Sequence, residues 1–178
     1  MSTDSDSTTE YAETTPRTGI ARCAPLDGQT APYTVHGVAI GPNDVTNGAN
    51  GRKIWPPETL EAAAETLEGV PLNKNHDSKR VESVVGEVVA AEYEHDVGVI
   101  FDAEVDDEAI ATKIARGRLE VSPHARHRAD GEDDEGRLIV TDARFLDLAV
   151  VPRGASPSNY IESGQSEMLA ALSATDVA

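Results

Sequence analysis

The sequence predicts an α+β domain built on a mainly antiparallel β-barrel or sheet, with two or three helices at its periphery. Three observations lead there. Short apolar runs, some alternating with polar residues, recur from Tyr33 to Val151. The links between several of them are short and rich in turn-forming residues, as in hairpins. Only two stretches ahead of the chain end carry the three-to-four-residue apolar spacing of a helix, too few for a doubly wound parallel sheet.

Taken in order, residues 1–30 are rich in Ser, Thr, Asp and Glu without a period and read as a disordered acidic tail. The folded domain is expected over 31–162. Its first strand is 33–40, stopped by Gly41-Pro42-Asn43-Asp44. Pro56-Pro57 opens a helix over 58–68 whose apolar stripe is Leu60, Ala63, Ala64 and Leu67, with Gly69 behind it. Residues 84–93 and 97–105 form a hairpin around Glu94-His95-Asp96. A second helix spans 107–116, with Asp106 as N-cap, Ile110, Ala111 and Ile114 inward, and Gly117 at its end. A strand at 119–127, an acidic loop at 129–136, and two further strands at 137–142 and 144–151 follow. Residues 163–178 make a tail or short helix.

Composition narrows the function. The 178 residues suit one domain, and 39% hydrophobic residues suffice for a core. Against 32 acids stand 15 bases, a net charge of -17. That charge repels a nucleic-acid backbone and an anionic membrane surface, so neither is expected as a partner. Lysine occurs only at 53, 74, 79 and 113, and an acid-rich, lysine-poor surface suits a cytosol of very high salt. A halophilic source is expected. The single cysteine, Cys23, excludes an internal disulfide and a multi-cysteine metal site. No run approaches the roughly 18 apolar residues of a membrane span, and the first residues lack a secretion signal, so an intracellular soluble protein is expected. His124 and His127 are three apart on a strand and point to opposite faces, so no metal is expected. No phosphate-cradling glycine loop and no H-E-x-x-H helix appears either, and no cofactor is expected.

Three residues suggest chemistry. Asp147 interrupts the apolar run Phe145-Leu146-Asp147-Leu148-Ala149-Val150-Val151, where an unpaired carboxylate would cost several kcal/mol; a histidine or arginine partner is expected, unless the strand shows it to solvent. Ser122 follows a helix end that turns into a strand, Gly117-Arg118-Leu119-Glu120-Val121-Ser122. His76 lies in the polar loop after Pro71-Leu72-Asn73-Lys74-Asn75. Each is ordinary alone. Together they are the parts of an activated nucleophile, in which the histidine takes the hydroxyl proton and the acid orients the ring.

In their order and context these residues resemble the capsid maturation (prohead) proteases of tailed viruses, relatives of the herpesvirus assemblins. The likeness rests on His76 ahead of Val84-Val85-Gly86-Glu87-Val88 and on the return strand Gly98-Val99-Ile100-Phe101. It also rests on Gly117 before the strand bearing Ser122, and on the last strand running into Pro152-Arg153-Gly154-Ala155. It covers about residues 33–160. The resemblance implies a serine endopeptidase with Ser122 as nucleophile, His76 as base and Asp147 as third member, with His124 its rival, since a histidine stands third in the herpesvirus relatives. Backbone donors for the oxyanion would come from Arg153, Gly154 and Ala155. Substrates would be scaffold and major capsid protein segments, with self-cleavage in the tail, inside an immature procapsid in the host cytoplasm. A homodimer is implied, and the acidic composition adds a virus of a halophilic archaeon as the source. Two other readings compete: a non-catalytic scaffold or structural protein of the same fold, and an acidic binding module of the host.

Overall fold

The computed structural model describes residues 31–48 and 51–152, together with the backbone of two short strands nearer the N-terminus. Those two are β1 (Glu10–Tyr11) and β2 (Ile20–Arg22), both within the stretch expected to be a tail. Next come β3 (Tyr33–Ile40), the pair β4 (Val45–Gly48) and β5 (Gly51–Ile54), helix α1 (Pro57–Ala63) and β6 (Pro71–Lys74). The hairpin β7 (Val84–Glu94) and β8 (Gly98–Val105), helix α2 (Glu108–Ala115) and the long pair β9 (Glu120–Glu132) and β10 (Leu138–Val151) complete the described elements.

The strands form one open sheet in the order β1-β9-β10-β6-β7-β8-β3-β2, with the β4–β5 hairpin attached to β10 through β5. All pairings are antiparallel except β10 with β6 and β10 with β5. The α+β class with two helices outside a mainly antiparallel sheet is therefore as the sequence predicts. Val35, Val88, Phe101, Val105, Phe145 and Leu148 fill the core. Leu60, Ala63, Ala64 and Leu67 bury the predicted stripe against it.

Several boundaries differ from expectation, each for a local reason. The first helix is α-helical only to Ala63; residues Ala64–Leu67 tighten into a 3-10 turn in which Thr66 Oγ1 donates back to the Ala63 carbonyl. The N-cap of α2 is Asp107, which accepts from Ile110 N at 3.0 Å, while Asp106 N donates to Val85 O in the sheet. The two strands expected at 137–142 and 144–151 are one, Leu138–Val151, because its register shifts interrupt the ladder with β9 without ending it. β9 runs on to Glu132, leaving a tight acidic turn closed by Gly136 N to Asp133 O. Strands β4, β5 and β6 were not expected: they are four residues each and mostly polar, and their partners supply the pattern that they lack.

Two features of the sheet position the site. At Gly86 a Cβ atom would stand 1.9 Å from the Glu104 carbonyl oxygen, so only glycine lets β7 lie this close to β8. In β10, Phe145 pairs with Ala125 but Asp147 pairs with His124, leaving Leu146 as an extra residue. This β-bulge reverses the alternation. Phe145 and Leu148 both enter the core, and Asp147 turns to the opposite face.

Candidate active site

Three neighbouring strands build the site from one row of residues. Ser122 on β9 lies opposite Ala149 on β10, which lies opposite Asn73 on β6. One step along, His124 lies opposite Asp147. Side chains alternate along a strand, so Ser122, His124, Asp147, Ala149 and Asn73 share one face. His76 arrives from the end of β6. There Asn75 and His76 both take positive φ, 52° and 57°, which reverses the chain over the sheet. Neither is glycine, so this loop carries backbone strain. Asn75 N to Val150 O, Asp77 N to Lys74 O and Ser78 N to His76 O hold it in place.

The result is a hydrogen-bonded chain of side chains. Ser122 Oγ donates to His76 Nε2 at 2.6 Å. His76 Nδ1 donates to Asp147 Oδ1 at 2.9 Å, and His124 Nδ1 donates to Asp147 Oδ2 at 2.9 Å. The two imidazoles meet edge to face with centroids 5.8 Å apart. Ser122 and Asp147 are 4% and 2% exposed, whereas the His76 side chain is 33% exposed. Burial alone pushes the Asp147 carboxyl up, but the hydrogen bonds and charges of His124 and His76 outweigh it and hold it below the usual carboxylate range. An ionised Asp147 fixes both Nδ1 protons and leaves His76 Nε2 bare toward the serine hydroxyl. That is the geometry of a general base beside a nucleophile.

No protein-family model and no curated protein matches the chain. Among solved structures it is similar to the bacteriophage T4 capsid assembly protease, gp21, with a TM-score of 0.55 and 14% identity over 80% of this chain and 98% of that one. The two chains share a fold. Along most of its described length, this chain therefore follows the architecture of gp21.

Asp147 and His124, the two residues expected to compete for the place behind His76, stand in series, with the carboxylate between the two rings. Arg153, Gly154 and Ala155 lie outside the described residues. His76, His124 and Asp147 offer ligand atoms all within 4.8 Å of one another, a set that can hold a divalent metal. In the structure both Nδ1 atoms are turned onto the carboxylate and His76 Nε2 onto Ser122, an arrangement that serves proton transfer directly. His127, by contrast, is buried against Trp55 at 5.3 Å on the far face, as its three-residue spacing from His124 predicts.

Two residues at the site gave no sequence signal. Asn73 is fully buried and neither polar atom of its carboxamide is hydrogen-bonded. Lys74 pairs with Asp107 at 3.1 Å and ties the cap of α2 to the strand that leads into His76. The first looks like any loop asparagine, and the second joins residues too far apart in sequence for a pattern to show.

Proposed function

We propose that the chain is a serine endopeptidase of the capsid maturation type. It cuts scaffold and major capsid protein segments, and its own tail, inside an immature viral shell, and works as a homodimer. The observation that carries this reading is the relay from Ser122 through His76 to Asp147, 2.6 Å and 2.9 Å long, on a fold shared with a capsid assembly protease.

The chemistry follows from the relay. Ser122 Oγ attacks the peptide carbonyl carbon while its proton passes to His76 Nε2. Asp147 stabilises the imidazolium, and His124 holds the carboxylate from its other oxygen. The carbonyl pair moves onto oxygen, where backbone donors at Arg153 to Ala155 are assigned to receive it. Collapse breaks the C–N bond as His76 returns the proton to the leaving amine. Water then repeats the sequence on the acyl-enzyme.

The test is a fluorophosphonate probe together with the major capsid protein of the same virus. Wild-type protein should be labelled at Ser122 and should trim the capsid protein. Ser122→Ala should abolish labelling, and Ser122→Ala or His76→Ala should cut the trimming rate by roughly ten-thousand-fold or more. Trimming at the wild-type rate by the Ser122→Ala variant would sink the proposal.

A further inference from the structure

The relay sets two imidazoles on one carboxylate, one more than the path of the proton uses. Asp147 Oδ1 accepts from His76 Nδ1 and Asp147 Oδ2 accepts from His124 Nδ1, each at 2.9 Å. A serine nucleophile needs one histidine as base and one acid behind it. The second histidine lies beyond the acid. Together the three residues offer one ligand atom each, all within 4.8 Å of one another. In a tetrahedral site of the zinc type, ligand atoms about 2.0–2.1 Å from the ion stand about 3.3 Å apart, so this set needs to close by at most about 1.5 Å.

We infer that His76, His124 and Asp147 form an inhibitory site for a divalent transition metal of the zinc type. This rests on the protease reading and names a regulator of the same site. The ion takes one Asp147 oxygen and the two Nδ1 atoms, in place of their protons. A neutral imidazole that ligates through Nδ1 carries its proton on Nε2. His76 Nε2, 2.6 Å from Ser122 Oγ, then donates to that oxygen instead of accepting from it. The lone pair that would take the serine proton is used up, and the base is switched off. No covalent bond of the protein breaks, so removing the ion restores the resting tautomer. Ser122 becomes the outer acceptor that fixes the ring of a ligating histidine.

Donor chemistry sets the choice of ion. Magnesium and calcium take oxygen ligands, whereas two imidazoles with one carboxylate suit zinc, cobalt, nickel or copper. A net charge of -17 draws cations to the whole surface, so charge alone does not select this place. The other printed histidine–carboxylate pairs, His36 with Asp102 and His95 with Asp96, each bring a single imidazole. Water completes the coordination, entering past the side chains of His76 and His124, 33% and 24% exposed.

The experiment uses the full chain at high salt, freed of metal by a chelator. Cobalt is titrated into Ser122→Ala protein, which keeps all three ligands. Intense visible bands of a tetrahedral ion should appear at one equivalent and vanish when zinc displaces it. Adding His124→Gln should remove the bands, and adding His95→Ala should leave them. Nitrogen NMR of the wild-type histidines covers the case in which His124→Gln misfolds: zinc should shift two rings, both at Nδ1. In the third arm, zinc should slow fluorophosphonate labelling of wild-type Ser122 by about a hundredfold, the scale of a lost general base. Chelation should restore the rate, and magnesium should leave it unchanged. Cobalt bands undiminished by His124→Gln, ligation through Nε2, or labelling at the metal-free rate under saturating zinc would each overturn the inference. A wild-type protein that never labels, even free of metal, speaks against the protease reading, while the cobalt and NMR arms still decide the metal site.

Discussion

Asp147 is the residue on which the site turns. Its carboxyl is held below the usual range in the folded chain, and an unfolded aspartate titrates near pH 4. A depressed folded pKa contributes stability that is fully present above the unfolded pKa and is lost as pH falls through the folded one. Wild-type protein should therefore lose melting temperature relative to Asp147→Asn as pH is lowered below about 4, and the difference between the two should be constant above about pH 5. Parallel melting curves across that window would show that the carboxylate carries no such linkage. The same substitution should slow turnover by roughly ten-thousand-fold at neutral pH, because an amide no longer fixes the histidine tautomer. Sequence reasoning reached Ser122, His76 and Asp147 from the cost of an acid in an apolar run and from the order of the motifs. It set His124 against Asp147 as a rival because a histidine stands third in the herpesvirus relatives; that the two histidines meet through one carboxylate depends on pairing across strands, which is invisible in a linear pattern. Asn73 was out of reach for the same reason.

At the scale of elements, the long strands were legible because their apolar residues are frequent enough to show a period, as in β7, β8 and β9. Short β6 was read as a polar loop, yet its central position between β10 and β7 delivers His76. The bulge at Leu146 hid the true face of Asp147: counting by twos from Phe145 places the carboxylate in the core. The glycine in the Val84-Val85-Gly86 motif now has a physical reason, the close approach of Glu104. Gly86→Ala should cost about 1–3 kcal/mol in denaturant unfolding by forcing β7 from β8. Unchanged stability would mean that the ladder yields without cost. Asp107→Ala should cost about 1 kcal/mol through the lost cap. It also frees Lys74, so activity should fall with stability if α2 steadies the strand leading into His76.

For the whole molecule, charge governs the conditions under which the fold holds. A net charge of -17 on 178 residues is self-repelling in dilute buffer, and salt screens it. Melting temperature should climb steadily from low to molar potassium chloride; equal stability near zero salt would exclude adaptation to a saline cytosol. The strand order carries a second consequence. Part of each margin of the sheet is covered by the same N-terminal segment, β1 beside Arg126 and His127 of β9 and β2 beside His36 and Gly37 of β3. A stretch whose composition marks it as expendable thus guards two rows of backbone donors and acceptors at once. Trimming the chain to begin at residue 31, the natural choice for a compact product, would bare both rows together and invite molecules to join margin to margin into aggregates.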